Sequence, residues 1–390
     1  MERQQVIDAR LARFIVTRDA RDVWPEVSVA SFRAAQHEVA RVATAVLTDA
    51  PRPVAFNGSS RMDAQALAVA AFATGMGPLV GYWCETGTVA AHGEIAQRLA
   101  TALAHGRRRA ADLRRALQAI LGQLAHGQVD ACVLRGTHTR ERYLPDPGTG
   151  STSHIDLLIR RDDWEAASTV MRGLGFVIAA GATASDRQDW TSPGSRITRS
   201  LEFAHVEDSW FVTLHLNSVL GAPDAVLSEV WHEFSRPVRV LPPSVLLADL
   251  AVDASNHFYE LNLIRLVEVA FVARRDFAGR PEAWSEFIDL VARRAVGSRV
   301  FPALDLVERL APGTIDPLVR EHVAASAPWR LRRVVGAATP ASVLRVHPLP
   351  RAGRSVWAAG PLEVAMAVAT AWSRRIRTTI TSGIARAGSR

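Results

Sequence analysis

The 390-residue sequence contains no lysine: all 46 of its basic residues are arginine. Every mechanism that needs a catalytic lysine amine is therefore excluded. Cysteine is nearly as scarce. Cys84 and Cys132 stand far apart and match no metal-ligand spacing, so two thiols are expected rather than a disulfide. That predicts a reducing compartment, the cytoplasm. Long apolar runs are missing too, since none reaches the roughly 18 residues needed to span a bilayer. The start, Met-Glu-Arg-Gln-Gln, is polar where a signal peptide is apolar.

What is present is an ordinary globular composition, 48% hydrophobic, long enough for two or three packed units. Charge is uneven. Residues 330–390 hold eleven arginines against a single acid, Glu363, a net +10, while the rest of the chain sums to −3. A basic arm of this kind suits an anionic membrane surface or an acidic partner. No specific nucleic-acid motif accompanies it.

Periodicity divides the chain into four stretches with no internal repeat. Residues 1–105 read as helical, with breaks at Pro25, at Pro51 and Pro53, and around Gly75 and Gly77. Residues 106–240 read as an α+β core. An amphipathic helix from Arg107 to His126 opens it, with Leu113, Leu117, Ile120, Leu121 and Leu124 on one face. Short strands follow at Val129–Leu134 and Ile155–Ile159. A helix started by Asp162 or Asp163 and closed by Gly175 comes next, then a strand at Phe176–Ala180. Residues 181–198 read as a polar loop, and Ser200–His205 with Trp210–Leu216 as a hairpin. Residues 241–327 read as helices again, and 328–390 as a weakly patterned basic tail.

Four phrases carry the chemistry. They are Val133-Leu-Arg-Gly-Thr-His138, followed by Tyr143 and Pro145; Ser153-His-Ile-Asp-Leu-Leu-Ile159; Val212-Thr-Leu-His-Leu216; and Asp253-Ala-Ser-Asn-His257 with Leu263-Ile-Arg-Leu-Val-Glu268 behind it. In this order and spacing they resemble a bacterial family of uncharacterised nucleotidyltransferases in the DNA polymerase β-like superfamily, over roughly residues 90–320. The resemblance implies a mixed-sheet α+β core flanked by N-terminal and C-terminal helical regions. It implies a nucleotide triphosphate near Arg135, Gly136 and Thr137, with Asp156 and His215 at the catalytic centre. It also implies Mg²⁺ or Mn²⁺ held by paired carboxylates, which stand two apart on a strand and so share a face. Members of the family accompany natural-product and surface-polysaccharide genes.

The sequence departs from the family at the metal. The Asp-x-Asp pair reads His154-Ile155-Asp156, and the third acid aligns with Thr213. The family's lysine before the glycine is Arg135, and no arginine precedes the acidic pair within 148–153. A site reduced from three carboxylates to one binds Mg²⁺ weakly. Glu202 is the available substitute carboxylate. A different set, His154, Asp156 and His215, suits Mn²⁺, Fe²⁺ or Zn²⁺ if their strands are neighbours. Each residue also has a purely structural role open to it: Asp156 at a strand end, His154 on a strand edge, His215 hydrogen-bonded on a half-buried face, Arg135 paired with a nearby acid.

Three readings follow. One is a nucleotidyltransferase-family protein with a degenerate metal site, binding a nucleotide or a partner protein with little Mg²⁺-dependent transfer. Another is an active transferase moving a nucleotidyl or other phosphate-linked group to an acceptor. The third is a scaffold or membrane-surface adaptor acting through the basic C-terminal region.

Overall fold

The computed structural model describes residues 10, 24, 26–57, 64–150, 154–184, 187–191, 199–200, 205–206, 211–216, 229–231, 238–258 and 261–344; for 179–189 and 191–237 only the backbone is described. Glu202 lies outside the described residues, as do 192–198 and the tail from 345 onward.

The N-terminal region contains α1 (Val29–Leu47), α2 (Ala64–Ala73), α3 (Gly77–Glu85) and α4 (Gly93–His126), with β1 (Val54–Ala55) and β2 (Val89–Ala90) paired parallel between them. The expected breaks hold for local reasons. Gly75 takes φ +71° after α2, a conformation glycine adopts without steric cost, and Pro78 sits in the first turn of α3.

Helix α4 starts well before Arg107, so the expected boundary at 105/106 falls inside it. Leu99, Leu103, Gly106, Ala110, Leu113, Leu117, Ile120 and Leu124 form one continuous buried stripe. Gly106 is a contact point in space. A Cβ there would overlap the Gly148 carbonyl oxygen, and one on Gly148 would overlap Arg107. Backbone thus packs on backbone, seating the 3-10 turn Pro147–Thr149 that leads into the next strand.

The core sheet has seven strands in the order β10-β11-β3-β4-β9-β6-β5. They are β3 (Ala131–Val133), β4 (His154–Ile159), β5 (Val177–Ala184), β6 (Arg187–Thr191), β9 (Phe211–Leu216), β10 (Glu229–Trp231) and β11 (Val238–Val240). Helix α5 (Arg135–Arg142) follows β3, and α6 (Trp164–Gly173) follows β4. Gly175 closes α6 at φ +81°, and Asp163 stands at its N-cap, though its side chain makes no capping bond. On one face Val133, Ile155, Leu157, Ile159 and Val240 pack against the α4 leucines and Ala167 and Met171 of α6. On the other face Cys132, Leu134 and Leu158 join the main helical core.

Two expectations are corrected. The stretch 181–198 is not simply loop: β5 runs to Ala184 and β6 occupies 187–191. Nor is β9 paired with 200–205. Its neighbours are β4, parallel, and β6, antiparallel, while among the described residues β7 (Arg199–Ser200) and β8 (His205–Val206) pair with each other. Trp190 shows why β6 was hidden: it is the one large apolar residue in a polar run, and it is fully buried.

The C-terminal helices are α7 (Pro243–Asn256), α8 (Leu263–Asp276), α9 (Pro281–Arg293), α10 (Gly297–Leu310), α11 (Pro317–Ala325) and α12 (Trp329–Ala337). They share one core with α1–α3: Phe32, Val39, Leu67 and Leu79 lie in the same buried cluster as Leu246, Leu266, Val300 and Leu304. The Ile264 N–H donates to the Thr74 carbonyl at 3.2 Å across that contact. Chain ends that look like separate flanks therefore close into one helical body. The expected tail boundary also moves, because Leu331, Val335, Val343 and Leu344 are buried in this core. Among the described residues no single helix is long and apolar enough to cross a membrane.

Candidate active site

The site forms where β3 ends and α5 begins. Arg135, the first residue of α5, has φ +42°, a backbone state non-glycine residues rarely take. The neighbouring Leu134 N–H donates to the Asp156 carbonyl at 3.0 Å, which ties this turn to β4. Thr137, buried one turn later, directs its hydroxyl at the His154 carbonyl at 3.5 Å. Arg135, Gly136 and Thr137 thus lie beside His154 and Asp156.

On β4, His154 and Asp156 are two residues apart and share a face. The imidazole Nε2 lies 3.0 Å from Asp156 Oδ2, so one oxygen of the sole carboxylate on this strand is already engaged. Thr213 on β9 is the register partner of Asp156. His215 is the register partner of Leu158, four residues along from His154, or about 13 Å along the strand. The strands are neighbours, and His215 stands two register positions beyond Asp156.

The sequence left open whether Arg135 meets a phosphate or a nearby acid, and it did not name the acid. Arg135 does not point into open space: its Nε donates to Asp249 Oδ2 at 2.8 Å and its Nη2 to Asp249 Oδ1 at 3.2 Å. Its Nη1 donates to Asp253 Oδ1 at 3.2 Å. Asp249 and Asp253 stand four apart on α7, hence on one helix face. Acids at that spacing within the mostly apolar stretch Leu246–Ala254 were the available signal, because unpaired carboxylates are not kept on a buried face.

A second pair stands behind the first. Arg265 Nη1 donates to Glu268 Oε2 at 2.9 Å, and the Thr139 hydroxyl donates to Glu268 Oε1 at 2.9 Å. Burial opposes the charge on Arg135, but Asp249, Asp253 and Asp156 outweigh it and hold its pKa above the usual guanidinium value. Arg265 is raised chiefly by Glu268, with Asp253 and Asp156 contributing. Asp156 and Asp253 therefore act on both guanidiniums, and four carboxylates and two arginines form one electrostatic unit.

Around it, α5 is held by buried polar contacts. His138 is fully buried, and burial, with Arg142 and Arg275 nearby, lowers its pKa to about 3. The Tyr143 hydroxyl donates to Asp276 Oδ2 at 2.7 Å, and the Arg142 and Arg275 guanidiniums each sit 5.6 Å from its ring centre. Arg107 fixes the lead-in to β4 through Asp146 at 2.8 Å and Glu85 at 2.6 Å.

This donor set does not fit a carboxylate-held Mg²⁺ site. A hard cation needs several free oxygen ligands. Asp156 is engaged by His154, and Asp249 and Asp253 by Arg135. Among the described residues no group of three His, Cys, Asp or Glu is arranged to hold a metal ion.

No curated protein matches the sequence. A crystal structure of an antigenic nucleotidyltransferase-like protein from Paracoccidioides brasiliensis matches 48% of this chain and 92% of its own, at 13% identity and a TM-score of 0.30. Residues 60–312, more than half of the chain and the whole of the α5–β4–α7–α8 site, match the family described as uncharacterised nucleotidyltransferase. With an α+β core and the expected phrases gathered at one end of β3 and β4, the chain belongs to this nucleotidyltransferase family.

Proposed function

We propose that this chain is a nucleotidyltransferase-family protein that has kept the fold but not ordinary Mg²⁺-dependent transfer, and that it binds a nucleotide or a partner protein. The ion pairing of Arg135 with Asp249 and Asp253 carries this reading. In metal-dependent phosphoryl transfer, cations held by several carboxylates stabilise the charge on the transferring group. Here His154 and Thr213 stand at two of the acidic positions, and the remaining acids serve an internal guanidinium. A triphosphate reaching Arg135 must displace a carboxylate from it, so nucleotide affinity is weak and depends little on Mg²⁺.

The test is a titration of the purified chain with each nucleoside triphosphate, with and without Mg²⁺ or Mn²⁺, together with a pyrophosphate-release assay. Weak binding insensitive to Mg²⁺ and turnover near background are expected. Robust Mg²⁺-dependent release that disappears in Asp156→Ala would establish the active-transferase reading instead.

A second reading concerns the partner. Trp329 on α12 is 61% exposed, with the Arg330 guanidinium 5.6 Å from its ring centre and Arg332 and Arg333 exposed beside it. An exposed indole among arginines suits the headgroup layer of an anionic membrane. Residues 345–390 continue the charge in sequence, with eight arginines against Glu363 alone.

A further inference from the structure

One buried cation on α5 has more donors than the described residues around it have acceptors. Arg140 is 1% exposed, and its Nε donates to Glu141 Oε1 at 3.2 Å. Its other two nitrogens, Nη1 and Nη2, are buried with no hydrogen-bond partner among the described residues. The acids nearby are already engaged. Glu141 Oε2 accepts from Arg114 Nε at 2.9 Å. Glu268 Oε1 accepts from the Thr139 hydroxyl, and its Oε2 from Arg265 Nη1. Arg114, Arg140 and Arg265 thus stand against the two carboxylates Glu141 and Glu268, and these five groups sum to one positive charge. Burial, with Arg114 adding to it, lowers the Arg140 pKa more than Glu141 and Glu268 raise it. A guanidinium keeps its proton in proteins, so the cost of burying it is relieved by an anion and not by deprotonation.

The surroundings of Arg140 fix where such an anion lies. Gly136 and Arg140 are four residues apart on α5, and Thr137 and Arg140 three apart, so all three share a face. Thr137 directs its hydroxyl at the His154 carbonyl. The Arg140 stem lies against Gly150, where an added Cβ would come 3.1 Å from Arg140 Cγ. The side chain therefore runs between α5 and the lead-in to β4. The flat edge formed by Nη1 and Nη2 matches two oxygens of one oxyanion, which a spherical ion such as chloride does not offer.

We infer that Arg140 holds a phosphate-type oxyanion, buried between α5 and the lead-in to β4, through its Nη1–Nη2 edge. This position is separate from Arg135, whose nitrogens are taken by Asp249 and Asp253. It goes beyond the nucleotide reading, because it requires only a phosphate group, free or carried on a larger molecule.

The experiment follows thermal unfolding of the full chain and of Arg140→Met in chloride buffer, and in the same buffer with millimolar inorganic phosphate at matched ionic strength. Phosphate released on denaturing the purified chain is assayed in parallel, which detects an ion already bound. The wild-type midpoint rises by at least about 3 °C in phosphate, or the chain releases about one phosphate per molecule. Arg140→Met does neither. If Arg140→Met does not fold, Arg140→Lys carries the test: an ammonium keeps the charge without the flat edge, so it needs at least about tenfold more phosphate for the same rise.

A nucleoside triphosphate titrated in the same way names the source. A response at lower concentration than phosphate, lost in the variants, puts a nucleotide phosphate at Arg140, and an equal or weaker one leaves free phosphate. A wild type that responds to neither anion and releases no phosphate overturns the inference, as does a response kept at full strength by either variant. Failure to bind a nucleotide while phosphate still binds bears on the function reading alone.

Discussion

Arg135 reaches from the first turn of α5 to α7 and places its Nε 2.8 Å from Asp249 Oδ2. The contact spans 114 residues of sequence and joins the sheet core to the C-terminal helices. Two different jobs are thereby combined in one pair: it closes the interface and sets the charge of the candidate site.

Asp249 and Asp253 should not be equivalent. Asp249 makes two bonds and its side chain is 5% exposed, whereas Asp253 makes one and is 19% exposed. Breaking a buried pair on one side leaves an uncompensated charge, so Asp249→Asn should cost about 3 kcal/mol. Asp253→Asn should cost about 1 kcal/mol, nearer to a solvated pair. Urea denaturation measures both, and equal losses would contradict the geometry.

The register of β4 and β9 makes a gain-of-metal variant specific. Thr213 is opposite Asp156, and His154 is two residues back on the same face. His154→Asp combined with Thr213→Glu should raise Mg²⁺ affinity at least about tenfold, by restoring oxygen ligands of the right charge. Isothermal titration with Mg²⁺ checks this. No gain in a folded double variant would mean that these positions do not face one ion.

Acid should weaken the fold through His138. Its folded pKa lies near 3, below the unfolded value near 6.5, so the folded state excludes a proton that the unfolded state binds. Stability is intact above the unfolded value and falls as pH drops from there toward 3. From pH 7.5 to 5.5 the loss from this residue is about 1 kcal/mol. The comparison is wild type against His138→Gln at both pH values, and an unchanged pH dependence would remove His138 as its source.

The basic arm should be separable only beyond Leu344. Ending the chain there keeps every described core residue, so the melting temperature should stay within about 2 °C. Binding to vesicles of anionic lipid should fall at least about tenfold and lose most of its salt dependence. Ending the chain at Ala327 instead removes Leu331, Val335, Val343 and Leu344 from the core. At about 1.5–3 kcal/mol each, that loss should unfold or aggregate the protein. Undiminished vesicle binding by the shorter truncation would take the partner reading away from the arm.

Local pattern by itself determined much of this protein. The leucine spacing of α4, the apolar run of β4 and the glycine closing α6 are decided by the residues in each segment, so these elements form where the sequence put them, although α4 begins earlier, at Gly93. The absence of lysine, the His154 and Thr213 replacements and the charge of the C-terminal residues are likewise complete in one dimension. Pairing is not. That β9 lies between β4 and β6, and not beside 200–205, depends on which strand covers Trp190 and continues the sheet, a choice no single strand encodes. That Gly106 is a close contact depends on Gly148, far along the chain. The partner of Arg135 was settled only when α7 packed against α5, because a guanidinium takes whichever carboxylate the burial of other residues brings within 3 Å of it. The sequence singled out Arg135, His154 and Asp156, and the tertiary structure decided which charge each of them answers.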